Sequence, residues 1–293
     1  MRYNNTMKVN LHITEACNYR CRHCFAKFDS NKTLGFDEWK QIIDNCLRAG
    51  IKKFNLAGGE PFLHPDIDKI IDYIYNQGAE CSIITNGSLL KREWILQNGC
   101  KLSTLGVSID SVDNSTNCCL GRCDSNEHVL DLAELQETLQ CLYEVNPDCD
   151  LKINTVVSRL NKDENISVIL RDISCDRWKL LKIHHFHNGS WNNSDLLITD
   201  EEFKQFLLTN VPGLNMEDVD LSANTLVELE DGVNVVVEGV MTDAYLIVDA
   251  RGCLVNNFGG NYTDAGNLLS VEFSEAMKNV SFNAKEFWSR YDA

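Results

Sequence analysis

The feature that most constrains this chain is the alternation, from Met7 to His185, of short strand-like segments with segments of helical periodicity. The alternating segment Met7–Thr14, for example, precedes Phe36–Ala49, in which apolar residues recur every three or four positions. Strands that alternate with helices pair in parallel through right-handed crossovers. The sequence therefore predicts an α/β fold, and we favour a partial barrel over a doubly wound sheet. Its six strands are predicted at Met7–Thr14, Lys53–Leu56, Glu80–Ile84, Ser103–Ile109, Asp150–Val157 and Trp178–His185.

The pattern changes after His187. A polar loop follows, and the segments Leu226–Val237 and Ala244–Val248 have the character of antiparallel strands. We therefore divide the chain into a barrel at residues 1–187 and a C-terminal extension at residues 188–293. We expect the extension to pack on the barrel and to close its binding site. Further helices are predicted at Leu89–Gln97, Glu127–Asn146, Asp163–Asp172, Asp200–Leu208 and Glu272–Trp288.

Composition excludes several classes of protein. Hydrophobic residues make up 44% of the 293 residues, which is enough for a full core and argues against disorder. Apolar runs fall well short of the ~20 residues that a membrane span needs. With 27 Lys and Arg against 43 Asp and Glu, the net charge of −16 argues against a broad nucleic-acid-binding surface. The polar N-terminus lacks the apolar stretch of a signal peptide, so we expect a cytoplasmic protein.

Three of the 13 cysteines are closely spaced. Cys17, Cys21 and Cys24 form a C-x3-C-x2-C pattern on the loop that follows the first predicted strand. Thiolates at this spacing can hold three irons of a [4Fe–4S] cluster and leave the fourth iron open to a small chelating molecule. A zinc site that includes His23, or three buried thiols, are alternatives that the spacing alone leaves open.

Polar residues follow the next strands in the same way. The segment Gly58–Pro61 ends the second strand, Asn86 lies in the turn after the third, and Ser108 lies near the end of the fourth. In isolation each would be an ordinary turn. Because loops at the carboxyl ends of parallel strands form the ligand-binding face of such folds, these residues and the cysteine loop are expected to share one site.

These motifs resemble those of the radical SAM superfamily and, within it, the viperin family. The similar segments are Cys17–Phe25, Phe54–Leu63, Thr85–Leu89, Leu151–Val156, Arg177–Lys179, Ile198–Phe203 and Asp243–Asp249. The resemblance implies a partial (β/α)6 barrel with a C-terminal extension, S-adenosylmethionine as cofactor, and a [4Fe–4S] cluster bound by the three cysteines. It also implies that S-adenosylmethionine contacts Phe25, Gly58, Gly59, Glu60, Asn86 and Ser108. The amphipathic membrane anchor of the animal proteins has no counterpart, so we expect no membrane association.

Cationic residues occupy strand positions, where lysine is unusual. Lys53, Lys152, Arg177 and Lys179 lie on three of the predicted strands or at their starts. An outward-pointing edge lysine is the alternative for any one of them. In the viperin family the matching positions bind a triphosphate, so the resemblance implies that these four residues bind substrate phosphates. It also implies substrate contacts at Asn55, Asn154 and Arg122 and catalytic roles for Lys152 and Tyr245.

The resemblance further implies an enzyme that dehydrates a ribonucleoside triphosphate to its 3′-deoxy-3′,4′-didehydro analogue, a chain terminator of viral RNA synthesis. CTP and UTP are the favoured substrates, with GTP as the third candidate. A carrier of the flavodoxin or ferredoxin type is the expected reductant. The alternatives are a radical SAM enzyme that modifies peptides or small molecules and a non-catalytic, zinc-stabilised interaction module.

Three departures from the animal proteins leave the base undecided, and one of them is the segment Asn256–Phe258, where the animal protein has a cysteine and basic residues. Ala57 stands where the animal enzyme has serine, which removes a hydroxyl near the expected site. The segment that contains His184, His185 and His187 also differs. Neighbouring strand residues point to opposite faces, so His184 and His185 are expected to point apart. We therefore expect a polar pocket rim here, and not a metal site.

Overall fold

The computed structural model describes residues 7–26, 32–185, 187–188, 191–221, 224–229, 232–238, 245–256 and 262–281. Six parallel strands in chain order form the centre of an 11-stranded sheet, as predicted. They are β1 (Lys8–Thr14), β2 (Lys53–Gly58), β3 (Glu80–Thr85), β4 (Thr104–Ser108), β5 (Asp150–Val157) and β6 (Arg177–Lys182). The sheet ends at two separate edge strands in the described part of the chain, so the fold is a partial α/β barrel.

Five of the remaining strands extend this sheet at both sides, namely β9 (Asn224–Glu228), β10 (Asn234–Glu238), β11 (Leu246–Val248), β12 (Cys253–Asn256) and β13 (Thr263–Asn267). The other two, β7 (His187–Asn188) and β8 (Trp191–Asn192), form a separate two-stranded ribbon. β10 pairs with β6 in parallel and with β9 in antiparallel orientation, so the predicted single strand Leu226–Val237 is a hairpin. The antiparallel strand predicted at Ala244–Val248 is confirmed on one side only, because β11 pairs with β12 in antiparallel orientation but with β1 in parallel orientation. Strands from residues 188–293 therefore belong to the sheet itself.

Helices cover the outside of the barrel. They are α1 (Phe36–Arg48), α2 (Ile67–Asn76), α3 (Arg92–Asn98), α4 (Asn114–Leu120), α5 (Leu132–Val145), α6 (Val168–Asp172), α7 (Asp200–Asn210) and α8 (Phe273–Ala276). On β5 buried and half-buried residues alternate strictly, with Leu151 and Ile153 buried and Lys152 and Asn154 half-buried. One face of the sheet thus packs under helices while the other lines a polar lumen. No helix within the described ranges is long and apolar enough to cross a membrane.

Three predicted helices are shorter than the sequence pattern indicated. α5 begins at Leu132 and not near Glu127, because Glu127 has a positive φ of 63° and the Asp131 carboxylate caps the helix. α6 loses its predicted first turns because the Asn210 side chain accepts hydrogen bonds from the backbone N–H groups of residues 166 and 167. The predicted final helix begins with the four residues of α8, and its part beyond residue 281 lies outside the described residues.

Candidate active site

One cavity of about 1360 Å³ runs through the lumen of the barrel and brings nearly all predicted site residues together. Its lining includes Cys17, Cys21, Cys24, Phe25, Lys53, Asn55, Gly58, Gly59, Asn86, Ser108, Arg122, Lys152, Asn154, Arg177, Lys179 and Tyr245. Of the predicted site residues, Glu60 alone is not part of this lining. The lining side chains come from every one of the strands β1 to β6 and from the C-terminal extension. The predicted shared site therefore exists as a single cavity.

The cysteine loop is held in place by the end of α4. The backbone N–H groups of Arg20 and Arg22 donate to the carbonyl oxygens of Gly121 and Leu120, each at 2.9 Å. Gly121 has a φ of 74°, and a Cβ atom there would lie 2.3 Å from the carbonyl oxygen of Arg20. Only glycine fits such an approach. The shape of the loop thus depends on a segment about a hundred residues further along the chain, as the sequence numbers show.

The two glycines after β2 pack against the start of the cysteine loop. A Cβ atom on Gly58 would lie 2.3 Å from the carbonyl oxygen of Thr14, and one on Gly59 would lie 2.2 Å from that of Ala16. The N–H of Gly59 donates to Thr14 at 2.7 Å, and that of Glu60 to Ala16 at 2.8 Å. The close backbone approach that these glycines permit is therefore an approach to the cysteine loop, although both glycines also line the cavity.

Glu60 lies behind the lining and is fully buried. Its carboxylate accepts hydrogen bonds from the Thr85 hydroxyl at 2.7 Å, the Asn86 N–H at 2.8 Å and the Phe62 N–H at 3.2 Å. Burial raises the pKa of Glu60 in spite of these donors. In this structure Glu60 fixes the loop after β3, and the Asn86 side chain then reaches within 4.0 Å of the Cys17 sulfur.

A buried ion pair stands beside the cysteines. The Arg122 guanidinium lies 3.0 Å from the Asp110 carboxylate, and Nε2 of His23 lies 3.2 Å from the same carboxylate. Burial by itself would raise the pKa of Asp110, but Arg122 and His23 lower it to about 2. Arg122 also lies 3.9 Å from the Cys21 sulfur, so the structure places this predicted substrate ligand next to the cysteine loop.

In the described structure the three thiols are not all within 4.8 Å of one another, as the ligands of a single zinc ion would be. Four ligands around zinc lie at ~2.0–2.3 Å from the metal, which brings their donor atoms within about 4 Å of one another. Among the described residues, the only set of three potential metal ligands within 4.8 Å of one another is Asp249, Cys253 and Asp264, and the Arg251 guanidinium bridges its two carboxylates. His23, the proposed fourth zinc ligand, faces Asp110. The three cysteines therefore suit a [4Fe–4S] cluster, which would displace the protons of thiols such as Cys21, whose pKa burial raises to about 12.

Four cationic residues lie in the half of the lumen that is farther from the cysteine loop. We call Lys8, Lys53, Lys152 and Arg177 the cation cluster. Lys8, Lys53 and Arg177 are the first residues of β1, β2 and β6, and Lys152 is level with Arg177 in the sheet register. β1 has seven residues, so the cation cluster and the cysteine loop are about 20 Å apart along the strand direction. The binding site thus extends along the barrel to the amino ends of the strands, beyond the predicted carboxyl-end face.

Carboxylates neutralise the charge of the cation cluster only in part. Lys53 pairs with Glu80 and Arg177 pairs with Asp150, both at 3.0 Å. The pKa of Lys152 is well below its usual range because of burial and of the neighbouring cations Lys179, Lys8 and Arg177. Together with Lys179, the cation cluster brings five basic side chains together, and ion pairs link three of them to Glu80, Asp150 and Glu238. A group of basic side chains in a cavity suits an anionic ligand, which would favour their charged forms.

Two members of the site escaped the sequence analysis. Lys8 donates to the Ser82 hydroxyl at 3.3 Å, and burial and Arg177 lower its pKa. The signal that could have revealed Lys8 was its two-residue spacing from Asn10 on β1, because this spacing puts both side chains on the lumen face. Glu238 at the end of β10 is fully buried and forms an ion pair with Lys179. It is one of many acidic residues in the extension, so no sequence pattern marked it.

The remaining predicted residues lie between the two ends. Asn55 donates to the Asn10 side chain at 2.8 Å, and Asn154 is level with Lys179 in the register. Ala57 and His184 line the cavity. His185 is exposed and its ring lies 3.3 Å from the Asn192 side chain, so the expected separation of the two histidines is confirmed. The side chain of His187 lies outside the described residues.

Comparison with known proteins places this site in a family. A model of the radical SAM superfamily matches residues 11–170, which is more than half of the chain. An S-adenosylmethionine-dependent nucleotide dehydratase of Selenomonas ruminantium is 35% identical, with 97% of this chain and 98% of the relative covered. The enzyme of the same name from Psychrobacter lutiphocae is 31% identical, with 98% and 95% covered.

Solved structures support the fold. SuiB of Streptococcus suis bound to S-adenosylmethionine is similar with a TM-score of 0.68 at 14% identity, covering 97% of this chain and 67% of that one. At that identity the likeness concerns the fold alone. The family match, the curated relatives and the site geometry agree. The chain belongs to the radical SAM superfamily, whose cofactors are a [4Fe–4S] cluster and S-adenosylmethionine. Within this superfamily it belongs to the viperin-like S-adenosylmethionine-dependent nucleotide dehydratases.

Proposed function

We propose that this enzyme converts a ribonucleoside triphosphate to its 3′-deoxy-3′,4′-didehydro analogue. One observation carries the proposal: a single cavity joins the cysteine loop at one end to the cation cluster at the other. A nucleotide whose phosphates bind the cation cluster extends its ribose towards the cysteines. The names of the curated relatives, which are nucleotide dehydratases, support the same reaction.

The chain supplies binding, orientation and proton transfer. When bound, the cluster and S-adenosylmethionine supply the radical chemistry that removes a hydrogen atom from the ribose. Lys53, Lys152 and Arg177 hold the triphosphate, since ammonium and guanidinium groups form charge-assisted hydrogen bonds to phosphate oxygens. Tyr245 and Ile247 of the extension line the cavity, which supports a role for residues 188–293 in closing the site. The product lacks a 3′-hydroxyl, so it would terminate viral RNA synthesis and serve antiviral defence.

CTP and UTP are the substrates we favour, with GTP as the third candidate. Ala57 and His184 line the cavity and are the departures from the animal proteins that can alter base contacts. A one-electron carrier of the flavodoxin or ferredoxin type would reduce the cluster in the cytoplasm. The net charge of −16 argues against stable binding to nucleic acid.

The test uses the full chain reconstituted with iron and sulfide under anaerobic conditions. Dithionite, S-adenosylmethionine and each of the four ribonucleoside triphosphates are added separately, and 5′-deoxyadenosine and nucleotide products are measured by liquid chromatography and mass spectrometry. We expect one or two nucleotides to stimulate 5′-deoxyadenosine formation and to lose the mass of one water. If no nucleotide raises 5′-deoxyadenosine above the nucleotide-free control, the proposal is wrong.

A further inference from the structure

Three polar groups from separate segments meet on one side of the cavity. The Tyr245 hydroxyl donates to the Glu238 carboxylate at 3.0 and 3.2 Å. The Lys179 ammonium donates to the Tyr245 hydroxyl at 3.0 Å and forms an ion pair with Glu238. Lys179 lies on β6, Glu238 at the end of β10, and Tyr245 directly before β11. We call these three residues the Lys–Glu–Tyr group.

The position of this group along the barrel differs from that of the cation cluster. On β6 Lys179 lies two residues beyond Arg177, which places it about 7 Å nearer the carboxyl ends of the strands. In the sheet register Lys179 is level with Asn154, and Asn154 is level with Ser108. Ser108 in turn accepts a hydrogen bond from Arg122 beside the cysteine loop. The Lys–Glu–Tyr group therefore lies between the phosphate end and the cysteine end, at the level where a ribose would lie.

Glu238 also changes what Lys179 can do. A fully buried carboxylate needs a cation and hydrogen-bond donors to be stable, and Lys179 and Tyr245 supply them. The Lys179 charge is then neutralised by Glu238, whereas Lys152 is surrounded by other cations. Lys53 and Arg177 also have carboxylate partners, but the side chains of Glu80 and Asp150 are 50% and 23% exposed, whereas that of Glu238 is fully buried beside Lys179. A carboxylate held in this way fits a role in proton transfer better than a role in phosphate binding.

We propose, on the basis of the proposed function, that Glu238 is a positioning residue that makes Tyr245 and Lys179 the proton source for the departing 3′-hydroxyl. In the ribose radical that remains after hydrogen abstraction, the C3′–O bond breaks and its electron pair leaves with the oxygen. The resulting radical cation takes up one electron, supplied by the flavodoxin- or ferredoxin-type carrier, and becomes the alkene. The phenol proton of Tyr245 turns to that oxygen and completes a water molecule. The Lys179 ammonium then passes a proton to the phenolate, and the resulting amine regains a proton from solvent after product release. Glu238 stays ionised throughout and holds both partners in place.

The decisive experiment compares Glu238→Gln with the parent enzyme. The measured quantity is the ratio of dehydrated nucleotide to 5′-deoxyadenosine, which reports whether hydrogen abstraction leads to loss of water. Positioned proton donors contribute about 10²-fold or more, so we expect the ratio to fall by about 10²-fold while the KM for nucleotide changes little. Glu238→Asp keeps the carboxylate and is expected to restore most of the ratio. Tyr245→Phe removes one oxygen atom and should reproduce the effect of Glu238→Gln.

Glu80→Gln is the matched control. Glu80 also pairs with a cavity lysine, Lys53, but at the phosphate end. Its removal should change the KM for nucleotide and leave the product ratio at the parent value. This contrast separates a local proton-transfer role from a general effect of removing a carboxylate from the lumen.

Several outcomes would overturn the inference. The inference fails if the Glu238→Gln enzyme keeps the parent ratio and differs only in KM, because Glu238 would then act in binding. It also fails if this variant binds nucleotide but forms no 5′-deoxyadenosine, because Glu238 would then act before proton transfer. If Glu238→Gln does not accumulate as folded protein, Tyr245→Phe decides, and a parent-like ratio there refutes the inference. Failure of the proposed function is distinct, since the parent enzyme would then form no dehydrated nucleotide at all.

Discussion

The two ends of the barrel lumen are built in opposite ways. The cysteine end consists of backbone loops that fit against one another through Gly58, Gly59 and Gly121. The cation cluster consists of single side chains that begin or lie within separate strands, such as Lys8 and Lys53. A loop motif is contiguous in sequence and can be recognised locally. A charge cluster assembled across strands exists only once the register of the sheet is known, as in the level pairing of Lys8 with Lys53.

The largest expected effect comes from the cysteine end. Cys21→Ala removes one of three thiols that suit the cluster, and a cluster held by two protein ligands is not retained. We expect iron and sulfide content to fall to background and 5′-deoxyadenosine formation to cease. Iron and sulfide assays, together with the visible absorption of the reconstituted protein, check this outcome.

Cys100→Ala is the control for this substitution. Cys100 is an exposed thiol on the short 3-10 turn after α3 and does not line the cavity. Its replacement should leave iron content and activity at the parent level. A brown, active Cys21→Ala protein would mean that the three-cysteine loop is not the cluster site.

At the other end, the largest effect is expected from Lys152. Lys152→Met keeps the length of the side chain and removes its charge from the centre of the cation cluster. Hydrogen bonds to charged groups contribute about 1.5–3 kcal/mol, so the KM for nucleoside triphosphate should rise about 10- to 100-fold. Steady-state kinetics on the reconstituted enzyme measure the change. Because the resemblance also implies a catalytic role for Lys152, a fall in kcat of similar size would add that role to phosphate binding.

Lys52→Met provides the matched comparison. Lys52 is the exposed neighbour of Lys53 and does not line the cavity. The same loss of one positive charge there should leave KM near the parent value. If both substitutions raise KM equally, the effect is one of total charge, and the cation cluster has no specific role.

The lowered pKa of Lys152 predicts that nucleotide binding at the cation cluster depends on pH. In the free enzyme Lys152 loses its proton at a lower pH than an ordinary lysine, because of burial and the cations Lys179, Lys8 and Arg177. A bound triphosphate favours the charged form, so binding takes up a proton once the pH exceeds the pKa of Lys152 in the free enzyme. Nucleotide affinity should therefore fall as the pH rises. Calorimetry in two buffers with different ionisation enthalpies measures the proton uptake, which should diminish in Lys152→Met.

The same contrast explains which features the sequence revealed. Periodicity predicted all six central strands, since each is long enough to alternate or to form an apolar run, and the spacing of three cysteines within one loop indicated a cluster. The start of α5 was missed because a single capping carboxylate, Asp131, outweighs the helical pattern that precedes it. Glu238 was missed because its partner Lys179 is brought to it by parallel pairing of β10 with β6, which strand patterns do not specify.

The smallest effect is expected from Lys8, at the edge of the cation cluster. Lys8 lines the cavity, but Lys152 occupies the more central position, with three cationic neighbours of its own. Lys8→Met should therefore raise the KM for nucleoside triphosphate by about 3- to 10-fold, equivalent to about 0.7–1.4 kcal/mol and within the range of a single hydrogen bond. Lys40→Met, an exposed position on α1, is the control and should have no effect. A rise in KM for Lys8→Met as large as that for Lys152→Met would show that the two lysines contribute equally and would remove the distinction between edge and centre.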